Sequence, residues 1–261
     1  MVPKARGSRM ILLHELVSYA DDYLEAARFQ DYCPNGLQVE GRAEVRRLVT
    51  GVSACQALLE AAVSAQADAV LVHHGYFWRG EDPRVQGMKR RRLAYLLDNE
   101  LSLLAYHLPL DAHPECGNNA QFGRLLGLKT AGHFGDGPGE GIALHGLLPE
   151  AISEAALADK LAAALGRECP YISGGRSEIS RVGWCTGAAQ GLIEQAAALG
   201  LDAYLSGEIS EQTVHVAREY GIAYFAAGHH ATERFGVAAL GEHLAAHFGL
   251  EHRFIDVDNP V

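Results

Sequence analysis

Three short polar clusters carry the side chains best suited to chemistry: His73-His74-Gly75, the stretch His107 to His113 (HLPLDAH), and Gly228 to Glu233 (GHHATE). Imidazoles and carboxylates hold zinc, manganese or iron, and the same groups move protons in hydrolytic reactions. Together the clusters could build a two-metal site. Successive strand residues point to opposite faces, so His73 and His74 both reach metal only if the strand breaks there, and Gly75 is read as the break. An ordinary hydrogen-bonded pair at a turn is the plainer reading of two adjacent histidines. His229 and Glu233 are four apart, the spacing of one helix face, and Thr232 to Phe248 reads as the helix. Capping by Thr232, with Glu233 meeting the helix dipole, is the competing reading, and it leaves the histidines unexplained. His230 is read as orienting the ligands. Asp111, just after Pro109, is a hard oxygen ligand. His107 and His113 beside it either transfer protons or orient ligands, and His107 is the catalytic candidate. Glu208 heads a weaker cluster with Ser206, Gly207, Glu211, Gln212 and His215, where helix capping by Ser210 or Glu211 competes with function.

Positioning these groups requires strand ends. Each main cluster follows a short run rich in aliphatic residues, Asp68 to Val72, Leu101 to Tyr106 and Ile222 to Phe225, which reads as a buried strand. The carboxyl edge of an open α/β sheet is where ligands bind. The chain also repeats itself. Laying 46–75 over 180–209 matches Arg47 with Arg181, Ala54 with Ala188, Gln56 with Gln190, Leu58 with Leu192, Glu60 with Glu194, Asp68-Ala69 with Asp202-Ala203, and Leu71 with Leu205. Each copy reads strand, helix, strand, with Ala54 to Gln66 and Ala188 to Leu199 as the helices, so the pattern is a duplicated βαβ unit. Chance likeness of two alanine-rich helices is the competing explanation. The overlay sets Glu208 on His74. A looser one sets Ala105-Tyr106 on Ala223-Tyr224 and so Asp111 on His229. Two halves facing each other about a pseudo-twofold axis would bring equivalent strand ends into one cleft.

A Gly-rich connection from Gly132 to Gly141, with Gly137-Pro138-Gly139 unable to continue a helix or strand, places a boundary near residue 129. A strand and helix from Ile142 to Gly166 and a turn at Ser173 to Arg176 follow it. A last strand at Arg253 to Val257 is expected to return to the first sheet. The reading is therefore an α/β protein of two α/β/α-type domains with duplicated βαβ units, the first domain discontinuous: 11–128 plus 226–261, and 129–225.

At 261 residues, 48% apolar, the chain can bury substantial cores, and its net charge of −10 argues against a sequence-independent grip on nucleic acid. The five cysteines include no C-x-x-C pair, which fits a reduced, cytoplasmic setting. The segment from Ile11 to Phe29 carries His14, Glu15, Asp21 and Asp22 and reads as an amphipathic helix rather than a signal peptide. Met10 is a candidate start, with the preceding residues an upstream start or an expression remnant. No membrane span is expected. Lys89 to Arg92 reads as a solvated helix face, with attraction of anionic substrate as the alternative, and Asp98 and Glu100 as surface. No P-loop or dinucleotide motif is present, and Ser173-Gly174-Gly175-Arg176 is a weak phosphate cradle.

The motifs VHHGYFW (72–78), HLPLDAHP (107–114), GNNAQ (117–121), SGEISEQT (206–213) and GHHATER (228–234), with DYCPNGLQVEG at 31–41, closely resemble the NIF-three-like family, over about residue 11 to Pro260. Within it the chain is similar to the bacterial YbgI branch. The resemblance implies a dinuclear metal centre with ligands at His73, His74, Asp111, His229 and Glu233. It implies two α/β domains and a ring-shaped homohexamer with metal sites facing the interior. Many members carry the name GTP cyclohydrolase 1 type 2 homologue, so the expectation is a metal-dependent hydrolase holding two divalent ions per chain (Zn, Mn or Fe) and acting on a small molecule, a nucleotide in that case. A metal-dependent phosphoesterase and a non-catalytic metal-binding scaffold or regulatory protein are the rivals.

Overall fold

The computed structural model describes residues 9–136 and 141–261. The chain forms two compact units: the first ends at Leu110 and takes up Val237–Val257 again, and the second comprises Asp111–Gly236 and Asp258–Val261. The sequence reading set its boundaries at 128/129 and 225/226. The first structural boundary falls earlier because Phe122, Leu126 and Leu128 pack in the same core as Trp184 and Phe225, and the second falls later, after Gly236.

In chain order the first unit contains β1 (Ile11–Leu12), α1 (Leu13–Tyr23), β2 (Gly36–Val39), β3 (Glu44–Val45), β4 (Arg47–Ser53), α2 (Gln56–Ser64), β5 (Ala69–His74), α3 (Gly87–Asp98) and β6 (Ser102–Ala105). The short helix α4 (Leu108–Ala112) leads into the second unit: α5 (Asn118–Leu125), β7 (Lys129–Phe134), β8 (Ala143–Ile152), α6 (Glu154–Leu165), β9 (Tyr171–Ile172), β10 (Ile179–Cys185), α7 (Ile193–Ala198), β11 (Ala203–Ser206), α8 (Glu211–Tyr220), β12 (Ala223–Ala226) and the start of α9 (His229–Phe248). The chain then returns to the first unit and ends its sheet with β13 (Glu251–Phe254).

The first sheet runs β13-β4-β5-β6-β2, parallel except for β2 against β6. Its central strand β5 is buried along nearly its whole length, as a parallel strand covered on both faces must be. The second sheet runs β7-β8-β10-β11-β12-β9, with β10, β11 and β12 parallel. Each unit has its own core. Leu58, Leu59, Val70, Val72 and Leu103 centre the first, and Leu157, Leu161, Val182, Trp184 and Phe225 the second.

The duplication is visible in the bonds. Asp68 Oδ2 accepts from the backbone N–H of Arg46 and Arg47, both at 2.9 Å, while Oδ1 receives Arg42 at 3.1 Å. Asp202 repeats this with Ser180 at 3.0 Å, Arg181 at 2.8 Å and Arg176 at 2.9 Å. Arg47 reaches the Gln66 carbonyl as Arg181 reaches that of Gly200. Chance likeness of two helices would not reproduce a side-chain network.

Several expectations need correction. Ser102 and Ala223 occupy equivalent places, opposite Ala69 and Ala203, so Ala105-Tyr106 does not align with Ala223-Tyr224 and Asp111 does not correspond to His229. Gly132 lies in β7 rather than in a connection, its missing Cβ leaving room for His145. Gly137-Pro138-Gly139 lies outside the described residues. The first helix ends at Tyr23, ahead of Glu25, whose φ of 50° breaks the helical path before a short 3₁₀ turn at Ala26–Arg28. The helix expected from Ala188 divides into a 3₁₀ turn at Gln190–Leu192 and α7.

Candidate metal centre

In the first unit, β5 ends on His73 and His74 and β6 leads into His107. One donor atom from each of these three residues lies within 4.8 Å of the others. Ring centroids stand 4.6 Å apart for His73 and His74 and 5.0 Å for His73 and His107. Gly75 matters for space. A Cβ there would stand 2.2 Å from Gln38 Oε1, which accepts the Tyr76 N–H at 2.7 Å and fixes the turn after the strand.

Each ring is held through Nδ1. His73 Nδ1 lies 2.9 Å from the Tyr106 carbonyl, which only accepts, so this nitrogen carries the proton and Nε2 presents its lone pair. His74 Nδ1 meets Ser53 Oγ at 3.0 Å. His107 Nδ1 lies 2.7 Å from Asp31 Oδ1, whose side chain is 1% exposed. Burial pushes the Asp31 carboxyl up, but bonds and charge from His107 and the donors Asn35 and Leu108 N–H outweigh it and hold the group below the usual range. Histidine ligands are typically oriented in this way, by a carbonyl, hydroxyl or carboxylate on the far nitrogen. Cys33 also approaches Asp31 and His107. Burial, then the Asp31 charge, pushes its thiol up to about 12, so it remains protonated and inert.

The second unit gathers its own donors. Asp111, in α4, is buried, and its Oδ1 accepts from Asn118 Nδ2 at 2.9 Å and from Thr186 Oγ1 at 3.5 Å. Asn118 Oδ1 in turn accepts the Gly236 N–H at 3.0 Å, locking the amide's orientation. His229 and Glu233 are one turn apart at the start of α9, with Nε2 3.3 Å from Oε2. The helix begins at His229, not Thr232. Gly228, at φ 100°, makes the turn out of β12, and Thr232 accepts the Gly187 N–H and donates to the His229 carbonyl instead of capping.

Glu208 Oε1 lies 2.8 Å from His229 Nδ1, so this residue orients the imidazole. Burial alone would lower His229; its bond to Glu233 and that carboxylate's charge, then the Glu208 bond and charge, raise it to about 9. A metal entering there replaces a proton that the same two carboxylates attract. Room for Glu233 comes from Gly187, where a Cβ would stand 2.3 Å from Oε1.

Other sequence candidates have structural work. His113 Nδ1 faces the backbone N–H groups of Glu115 and Cys116 at 3.2 and 3.1 Å and caps that turn. In the Ser173 to Arg176 turn, Gly174 N–H and Arg176 N–H both point to Glu154 Oε1, at 3.0 and 3.3 Å, so an internal carboxylate takes what a phosphate would. Ser210 caps α8 as read. Asp31, Asn35, Asn118 and Thr186 are organising residues that spacing did not find. The family motifs DYCPNG and GNNAQ contain three of them, and that was the only signal.

Both units test well for metal. Imidazoles held through Nδ1, with the His73 tautomer set by a carbonyl, and buried carboxylates form a donor chemistry suited to zinc, manganese or iron. Fold and donors define an α/β protein with candidate metal-ligand groups at its sheet edges. The chain belongs to the Duf34/NIF3 (NGG1p interacting factor 3) family, whose profile matches residues 11–260. It is 61% identical over 251 residues to a Pseudomonas aeruginosa protein named GTP cyclohydrolase 1 type 2 homolog, covering 96% of this chain and 99% of that one. It is 50% identical over 249 residues to the Escherichia coli K12 protein of the same name, covering 95% and 98%. Among solved structures it is similar to protein YbgI, titled as of unknown function, with TM-score 0.93, 48% identity and 96% and 100% coverage. The Thermus thermophilus protein TTHA1606 matches with TM-score 0.87, 36% identity and 96% and 100% coverage. Among the described residues no helix is long and apolar enough to cross a membrane.

Proposed function

We propose that this chain is a metal-dependent hydrolase that opens the purine ring of GTP; its relatives carry the name GTP cyclohydrolase 1 type 2 homolog. His73 and His74 from the first unit's group, and Asp111, His229 and Glu233 from the second's, are the ligands of two divalent ions per chain, as in the dinuclear centre that the resemblance implies. Such ions supply Lewis-acid polarisation of the substrate and a lowered pKa for water. The observation that carries the reading is the fixed state of the imidazoles: the Tyr106 carbonyl, Asp31 and Glu208 each hold a histidine through Nδ1.

His107 is the proton-transfer residue. Asp31 orients it through Nδ1, so Nε2 can take a proton from a nucleophile and return it to a leaving nitrogen. Tyr106 links the machinery to the fold, its carbonyl on His73 and its hydroxyl donating to Asp21 at 2.7 Å. The reading also includes a ring-shaped homohexamer in the cytoplasm, with family membership as its support; native mass spectrometry giving six chains tests the assembly.

The decisive experiment is GTP turnover by purified protein before chelation, after it, and after restoring zinc, manganese or iron. The expected result is a ring-opened purine that disappears with the metal and returns with it. Metal-dependent cleavage of a generic phosphodiester with GTP untouched would replace this reading by a phosphoesterase. Absence of both reactions in metal-replete protein would sink the hydrolase and leave a metal-binding scaffold.

A further inference from the structure

The group of His73, His74 and His107 has an aromatic and cationic rim that neither the core nor metal binding requires. Trp78 stands edge-on to His107, centroids 5.1 Å apart at 86°, and 6.0 Å from His74. Its indole N–H donates to the Gly75 carbonyl at 3.2 Å, which fixes the ring. Tyr32 approaches His107 at 6.2 Å yet is 46% exposed. Arg79 is exposed and tied to the same place: its N–H bonds the Tyr32 carbonyl and Nη2 the Asp31 carbonyl, both at 2.7 Å. A guanidinium has five donors, and this bond uses one.

Two further observations mark this rim as built. Phe77 adopts φ 66°, a left-handed conformation rarely tolerated by an aromatic residue, so the chain spends strain energy just before Trp78. From Arg79 to Arg92 the sequence carries six Arg and Lys against Glu81 and Asp82, within a chain of net charge −10. Such a local excess of positive charge draws anions to one face of an acidic protein.

We propose that Tyr32, Trp78 and Arg79 form the subsite for a purine nucleoside triphosphate. The base stacks on the exposed Tyr32 ring and the half-buried Trp78 ring and a phosphate pairs with Arg79, beside the histidines where chemistry would occur. The inference rests on the hydrolase reading for its choice of purine. A planar base stacks on any aromatic face, worth about 1–3 kcal/mol per base by alanine substitution, or at least about fivefold in affinity. Arg79 supplies planar, charge-assisted pairing with phosphate.

Calorimetric titration of GTP and of inorganic triphosphate into the full-length protein tests this without turnover. Trp78→Leu should weaken GTP about tenfold and leave inorganic triphosphate unchanged, Trp78→Phe should restore GTP, and Arg79→Gln should weaken both ligands. Equal binding of GTP by wild type, Trp78→Leu and Tyr32→Ala would overturn the subsite, as would equal losses for GTP and triphosphate. No measurable GTP binding, or Trp78-dependent binding of a short single-stranded oligonucleotide in place of GTP, would overturn it too. Trp78-dependent GTP binding without ring opening would refute the hydrolase reading and keep the subsite. Ring opening by Trp78→Leu with unchanged KM would do the reverse.

Discussion

The two βαβ copies keep the same bonds at one edge of their sheets and exchange roles at the other. Where the strands start, Asp68 with Arg42 and Asp202 with Arg176 tie loop to strand through matching bonds. Where they end, the first copy carries His73, His74 and Ser53, and the second carries Gly207, Glu208 and Gly187 in the equivalent places. In the first the strand end itself supplies imidazoles. In the second it gives way to a helix: a Cβ on Gly207 would stand 2.7 Å from the His229 Cα, and one on Gly187 would displace the Glu233 carboxylate. Duplication thus supplied two stable frames, and small residues at one strand end let α9 deliver what the other strand carries directly.

The comparison breaks first at the carboxyl edge. Asp111→Asn should fold, since its amide oxygen can still accept from Asn118, but lose GTP turnover by at least about a hundredfold, more than the ~10–100-fold typical of residues behind a ligand. Circular dichroism and steady-state rates check both halves of that expectation. At the starting edge the copies should behave alike. Asp68→Ala and Asp202→Ala each lose two backbone N–H partners and an arginine, with side chains 15% and 16% exposed, so each should cost about 3 kcal/mol in chemical denaturation. A large difference between them would show that the matching networks are not energetically equivalent.

Smaller effects sharpen the contrast between the orienting carboxylates. Asp31→Asn should lower GTP turnover about tenfold, because its side chain is 1% exposed and few waters can replace it on His107. Glu208→Gln should cost only a few-fold in metal affinity, since that side chain is 37% exposed and Glu233 still faces His229. Steady-state rates measure the first, and competition against a chelating dye the second.

Much of this was legible in the sequence because short apolar runs abut imidazoles, and strands end where such runs end. The βαβ duplication was legible through Asp68 and Asp202, whose matching bonds explain the repeated residues. Register was not. Alanine and tyrosine recur in both β6 and β12 segments, and only pairing against β5 and β11 shows that Ser102 corresponds to Ala223. Asp31 bonds a histidine 76 residues away, and Thr186 reaches Asp111 across 75. Such contacts follow from topology and leave no periodic trace. The helix start at His229 was hidden because Gly228 makes the turn by its positive φ.

The central claim is that these ligands hold two ions per chain, and elemental analysis of the purified protein by mass spectrometry, alongside Asp111→Asn, tests it most directly. The account predicts about two divalent ions per chain in the wild type and a clear deficit in the variant. Wild-type protein that takes up no metal after reconstitution, or an Asp111→Asn variant that keeps the full complement, would contradict it.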